Sequence, residues 1–314
     1  MATTMLLEPR VAARQRPRRM TARSREAVAG YLFLLPWFLG LVVLTAGPLI
    51  ASLLLSFTNF DLLQAPTWVG LQNYVTMFTS DPRYLQSLGV TFLYVIVGVP
   101  AQLAVALGVA VLLNQKVRGL GFFRSAFYLP SLLGASVAIA IMWRQLFGEN
   151  GVVNHVLGSI GVEAPNWIAS PQWALWTLVL LHVWQFGSAM IIFLAGLQQV
   201  PRELYDAASV DGASRWTQFR SVTIPMITPV IFFNLVLGIV NSFQAFTSAY
   251  IISGGTGGPS DSTLFATLYL YQQGFGSFHM GYASAMAWML LIIIAVFTAV
   301  NFAASRRWVY YGDD

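Results

Sequence analysis

The chain has 314 residues, of which 57% are hydrophobic and 9% charged, and its mean hydropathy is +0.66. That balance excludes a soluble globular domain, for which about 25% charged residues is usual. The formal charge is +5 and there is no cysteine, which excludes disulfides, thiolate metal sites and cysteine nucleophiles.

Residues 1–29 read as a basic tail holding Arg10, Arg14, Arg16, Arg18, Arg19, Arg23 and Arg25. Aromatic residues are absent among them, and an apolar run follows directly. A disordered, topology-setting tail that touches anionic lipid therefore fits better than a nucleic-acid arm, and no nucleic-acid partner is expected. The first run is too long for the apolar part of a secretory signal and lacks a convincing cleavage site.

Residues 30–305 contain six runs long enough to cross a bilayer, which takes about 20 mainly apolar residues. They lie near Tyr31 to Phe57, Tyr84 to Leu113, Ser125 to Trp143, Trp173 to Leu197, Val222 to Ile252 and Tyr282 to Ala304. Pro36, Pro48, Pro100 and Pro130 fall in or near them, and kinks are expected there. The basic residues alternate sides. With the tail inside the cell, Lys116, Arg118, Arg124, Arg202, Arg215, Arg220, Arg306 and Arg307 all fall on the inner side, and residues 306–314 form a short inner tail. Both termini are thus expected in the cytoplasm, with Arg83 and Arg144 towards the outside.

Between the fourth and fifth spans lies a polar interval, residues 201–225. Pro201 suits a first helical turn and Glu203 the positive end of the helix dipole. Leu204, Ala207 and Ala208 make a narrow apolar stripe that admits a close approach. Asp211-Gly212 reads as a turn, and a second short helix carrying Trp216 and Phe219 runs to Pro225. The bland alternative is an ordinary amphipathic connector.

Several chemistries are missing. Apart from Arg144 near an end, no Asp, Glu, Lys or Arg lies inside a span, so a proton relay has no titratable group. The sole lysine, Lys116, follows Asn114-Gln115 with no glycine cradle, so the chain lacks a P-loop and needs its energy from a partner. His155, His182 and His279 are scattered, so no metal site is expected. His155 and His279 read as surface residues; for His182, inside the fourth span, the readings are a pathway residue and an interhelical hydrogen-bonding group, and the second fits better. Residues 254–259, glycine-rich but without lysine, read as a flexible outer turn rather than a phosphate cradle. No catalytic cluster is present, so no enzyme activity is expected.

The spacing Asp206-Ala207-Ala208, three residues, Gly212, nine residues, then Val222-Thr223-Ile224-Pro225 resembles the EAA loop of binding-protein-dependent ABC importer permeases. Asp206 stands where the family carries glutamate, which keeps the charge and shortens its reach. Tyr31 to Pro36, Val69-Gly70-Leu71-Gln72-Asn73-Tyr74, Tyr128-Leu129-Pro130, Met280 to Ala285 and Arg306-Arg307-Trp308 are similar to the carbohydrate-uptake permeases of the maltose and glycerol-3-phosphate type, the ending to the first of their two permeases.

This resemblance implies an all-α integral membrane protein with six transmembrane helices and the ABC type I importer fold, MetI-like and maltose-permease-like. It implies a second permease subunit in a heterodimer, an ATP-binding subunit dimer, an extracellular solute-binding protein and a sugar substrate. The chain itself needs no cofactor, ATP being bound by the partner subunits. Asp206, Ala207, Ala208, Asp211, Gly212 and Pro225 are the expected coupling residues. A neutral sugar offers hydroxyls and apolar ring faces, and Ser131, Trp184, Gln185, Asn241, Ser242 and Gln244 are the expected pathway residues, with Asn234, Phe243 and Ser188 nearby. In the maltose branch, positions similar to Ser131, Asn241 and Ser242 contact substrate. An ion-coupled secondary transporter and an ABC permease for a non-sugar solute are the alternatives.

Overall fold

The structure, a computed structural model, describes residues 22–115, 119–134 and 136–310. The arginines of the tail up to Arg19, together with Lys116 and Arg118, lie outside the described residues. Contacts divide the chain into two units, one up to Ala51 and one from Ser52 onward.

In the first unit α1 (Ala22–Gly40) begins inside the stretch expected to be a tail, then passes through a π-helical turn, Leu41–Ala46, into α2 (Gly47–Ser56). The widened turn precedes Pro48, whose ring would collide with the Leu44 carbonyl in a regular α-helix. Ala29–Ser56 is long and apolar enough to cross a membrane.

The second unit takes in the end of α2 from Ser52 and continues into a two-stranded hairpin, β1 (Thr58–Asn59) antiparallel to β2 (Thr67–Trp68), and α3 (Gln72–Thr79). Then comes α4 (Pro82–Leu113), which starts where its sequence says it should. Pro82 occupies the first turn, and the Asp81 carboxylate caps the Tyr84 N–H at 3.1 Å. This helix is the axis of the fold. It packs against α8 (Pro171–Trp184), α9 (Gly187–Gln199) and α13 (Thr228–Phe243), and runs unbroken through Pro100.

The third, fourth and fifth expected spans are broken. Leu120–Leu133 (α5) and Val137–Leu146 (α6) meet at 100°, α8 and α9 at 41°, and the segment Arg215–Met226 meets α13 at 66°. Counting each bent pair as one gives up to six spans, in the expected order. The kinks expected at Pro100 and Pro130 are therefore displaced. The break after α5 falls at Gly134, and Ser136 caps α6 by accepting the Ile139 N–H at 3.3 Å. The 41° bend falls at Gln185, with no proline. The third bend falls at Ile227, between Pro225 and Pro229, neither of which can donate to a helical ladder.

A short α7 (Val152–Ser159) follows α6. Between α9 and α13 stand α10 (Arg202–Val210), α11 (Arg215–Gln218), a π turn Phe219–Thr223 and α12 (Ile224–Met226). The fifth expected run does not reach Ile252 as one helix. It stops at Phe243 and resumes as α14 (Thr247–Ser253).

Residues 254–259 form a packed turn rather than a loose one. Gly257 and Gly258 have positive φ, Thr263 donates its N–H and its hydroxyl to the Gly257 carbonyl at 2.9 and 2.8 Å, and a Cβ on Gly258 would strike Thr263. The chain ends through α15 (Ala266–Tyr271), a π turn Gln272–Gly276 and α16 (Met280–Ser305), which packs on α13.

Candidate functional site

Two features carry chemistry, a polar elbow at one end of the second unit and a cavity inside it. The elbow matches the sequence reading closely. α10 ends at Val210, Asp211 and Gly212 make the turn with φ +78° at Gly212, and Ser214 caps α11 by accepting the Thr217 N–H at 3.2 Å. Asp211 makes no side-chain hydrogen bond among the described residues.

The two arms of the elbow are tied together. The Tyr205 and Thr223 hydroxyls lie 2.9 Å apart, and Gln218 Nε2 donates to Ser209 Oγ at 3.0 Å and to the Ala213 carbonyl at 3.1 Å. Its outer face is left bare: Leu204, Asp206 and Ala207 are exposed, Val210 is 89% exposed and Trp216 is 70% exposed. Ala208 and Pro225 are half-buried.

The cavity has a volume of about 510 Å³ and lies among α4, α5, α6, α8, α9, α13 and α14. Among its lining residues there is no Asp, Glu, Lys or Arg. Ser131, Gln185, Asn241, Ser242 and Gln244 all line it, as do Asn234 and Ser188. Trp184 does not: its ring packs against Trp143 at 5.8 Å. Phe243 is also directed into the core, edge-on to Phe92 at 5.4 Å.

The lining residues fall into two groups. The α8–α9 break costs the His182 and Gln185 carbonyls their regular helical partners; the His182 carbonyl keeps a bond from the Gln185 N–H at 3.2 Å, and side chains supply the rest. Gln102 Nε2 donates to both carbonyls at 2.9 and 3.2 Å, Ser131 Oγ donates to the Gln185 carbonyl at 3.0 Å and accepts the Ser188 N–H at 3.0 Å, and Gln185 Nε2 donates to the Gly134 carbonyl at 2.9 Å. Ser131 and Gln185 are therefore committed to holding the two breaks together. Asn234 donates to the Val230 carbonyl at 3.1 Å. By contrast Asn241 and Gln244 are exposed to the cavity, and their amides meet no protein partner among the described residues. Gln102 escaped the sequence reading, although an amide deep in the apolar second span was a visible signal.

His182 forms the interhelical hydrogen bond expected of it, with Nε2 3.3 Å from Ser242 Oγ. His155 Nδ1 lies 3.0 Å from the Gly151 carbonyl, and exposed His279 pairs with Gln273 at 2.9 Å. No group of three or more metal-ligating side chains occurs among the described residues.

At the end opposite the elbow, Asp81 gathers distant chain. Its Oδ2 accepts from the Tyr269 and Tyr282 hydroxyls at 2.8 and 2.6 Å, while Arg83 forms a bidentate pair with Asp261 at 2.7 and 2.8 Å. Burial first, and then the bond to the Asp81 carboxylate, push the Tyr269 phenol up to about 12, so it stays protonated and donates at neutral pH.

Residues 80–310 match the family described as binding-protein-dependent transport system inner membrane component. The probable ABC transporter permease protein YesP of Bacillus subtilis (strain 168) is 52% identical over 288 residues, covering 91% of this chain and 93% of that relative. The lactose transport system permease protein LacF of Rhizobium radiobacter is 34% identical, covering 89% and 95%. The arabinooligosaccharides transport system permease protein AraP of Bacillus subtilis (strain 168) is also 34% identical, covering 94% and 93%. Among solved structures, a chain of a bacterial alginate ABC transporter, in complex with an alginate pentasaccharide-bound periplasmic protein, superposes with a TM-score of 0.77 at 21% identity, over 90% of this chain and 96% of that one. That likeness concerns the fold.

Proposed function

The chain belongs to the binding-protein-dependent transport system inner membrane components, and from that premise we propose that it is a sugar permease whose cavity passes a neutral carbohydrate. The observation that carries this reading is the cavity wall itself. Amides, hydroxyls and one imidazole face the space with no formal charge among them, the chemistry that suits hydroxyls which both donate and accept. A charged solute would leave its charge unpaired in a low-dielectric site, at a cost of several kcal/mol. The names of relatives with lactose and arabinooligosaccharide transport lend support.

In this reading a second permease completes the pathway, an extracellular solute-binding protein delivers the sugar, and a dimer of ATP-binding subunits engages the bare face of the elbow. The basic residues favour an inward-facing elbow and cytoplasmic termini. Closure of the ATP-binding dimer would move the braced elbow as one body. Asp206, Ala207 and Gly212 would bear the contact, and α13 would carry the motion to the cavity.

The test is ATP-driven uptake into liposomes holding the chain with its partner subunits. The panel is radiolabelled lactose, maltose and arabinobiose, with galacturonate as the charged control. Uptake of a neutral sugar that depends on ATP and on the binding protein is expected. Uptake driven by an ion gradient without nucleotide, or of galacturonate alone, would overturn the reading.

A further inference from the structure

Resting on the neutral-sugar reading, we propose that His182 is a substrate-facing hydrogen-bonding residue of the cavity and that Ser242, expected to touch substrate itself, acts by positioning it. Ser242 borders the same cavity but is only 2% exposed, and its Oγ lies 3.3 Å from the imidazole Nε2. A residue so covered can hold a neighbour more readily than it can meet a passing sugar.

The ring is fixed on several sides. Its backbone carbonyl receives the Gln102 amide at 2.9 Å, and Tyr94 packs on it with ring centroids 5.3 Å apart. Gly98 supplies the room: a Cβ there would stand 3.1 Å from His182 Cδ2, so the Cδ2 edge of the ring is seated against the α4 backbone. The opposite edge carries Nδ1. The buried side-chain polar atoms without a partner among the described residues are Tyr84 Oη, Arg124 Nε and Ser262 Oγ. His182 Nδ1 is not one of them, and it makes no hydrogen bond among the described residues. His182 is only partly buried and lines the cavity, so Nδ1 is the ring nitrogen left without a protein partner at that wall among the described residues. An imidazole nitrogen so presented can meet a sugar hydroxyl in either sense, as acceptor or as donor according to tautomer. Gln102 and Ser242 thus fix at the wall a group that Asn241 and Gln244 complement from α13 and just beyond its end.

The experiment measures equilibrium binding of radiolabelled sugar to the assembled, purified complex without the binding protein, so that affinity reports on the cavity. The probe is whichever of lactose, maltose or arabinobiose the wild-type complex takes up. His182→Leu should weaken binding about tenfold, the worth of one lost hydrogen bond. His182→Gln, which keeps a donor and an acceptor, should recover much of it. Ser242→Ala should weaken binding by a smaller factor in the wild type and add nothing in the His182→Leu background, because both changes remove the same contact. Subunit co-purification should stay at wild-type levels throughout.

Wild-type affinity in assembled His182→Leu complex would overturn the proposal and leave the sugar reading standing. A full, additive loss from Ser242→Ala in that background would return direct contact to Ser242. If the wild-type complex takes up no neutral sugar, the underlying reading falls and this inference falls with it.

Discussion

Gly212 sits at φ +78° with nothing within 4 Å of the place a Cβ would occupy, so its backbone angle, and not crowding, decides what can stand there. A left-handed conformation costs an ordinary L-residue about 1–2 kcal/mol, and asparagine visits it more readily. Gly212→Asn should therefore keep most ATP-driven uptake. Gly212→Ile, β-branched and stiff, should misplace Asp206 and Ala207 and lower both uptake and sugar-stimulated ATP hydrolysis severalfold at equal complex yield. Equal activity of the two variants would show that the turn geometry is not what the partner reads. The contrast is sharper at Gly187, where a Cβ would stand 2.7 Å from Ser131 Oγ and 2.8 Å from Tyr128 Cα. Backbone cannot yield as a side-chain tip can. Gly187→Ala should separate α5 from α9 and cost about 1–3 kcal/mol, seen as a lower yield and thermal midpoint of the purified complex.

At the scale of elements, the breaks in the helices do more for the cavity than their length does. The α8–α9 bend frees the carbonyls that Gln102 and Ser131 then occupy, so the side chains expected to meet sugar are partly spent on the fold. Ser131→Ala leaves the Gln185 carbonyl and the Ser188 N–H without that hydroxyl. Because the site is a cavity that water can enter, the loss should be about 1–2 kcal/mol rather than the full penalty of dry burial. It should appear as a lower thermal midpoint, with sugar affinity in the assembled complex changed less than in Asn241→Ala. The turn and stripe of the elbow were readable from sequence because they are local, set by residues within a few positions of one another. The breaks were not. A proline marks a missing donor, but whether a helix bends there depends on neighbours that re-satisfy the freed carbonyl. Thus Pro100 lies in unbroken helix while Gln185 marks a bend of 41°. For the same reason sequence could gather Ser131, Gln185, Asn241 and Gln244 in one pathway, but not say which amides were already bonded. Trp184 shows the limit: its place in the fourth span was readable, and the side it faces was not.

Across the whole second unit, the two ends are built differently. The elbow is braced by bonds between residues near in sequence, such as Tyr205 with Thr223 and Ser209 with Gln218. The opposite end is closed by Asp81, which joins the start of α4 to Tyr269 of α15 and Tyr282 of α16. An end secured by long-range contacts should hold its shape while the locally braced end moves as a lever. Two neighbouring charges separate this idea from a general appeal to ion pairs. Arg83 and Asp261 form the better-looking pair, yet the Arg83 side chain is 49% exposed, and a pair of that kind is worth about 0–1 kcal/mol. Asp81 accepts two phenol hydroxyls and caps a helix, and hydrogen bonds to a charged group contribute about 1.5–3 kcal/mol each net of the exchange with water. Asp81→Ala should consequently lower the thermal midpoint of the purified complex by several degrees, and Arg83→Ala by about a degree or less. Asp81→Asn, which still accepts at its carbonyl oxygen, should fall between them. Hydrogen exchange on the same variants would locate the effect: faster exchange at the start of α16 in Asp81→Ala, with α10 unchanged, is the expected pattern. Equal destabilisation by Arg83→Ala would assign the rigidity of this end to the ion pair instead.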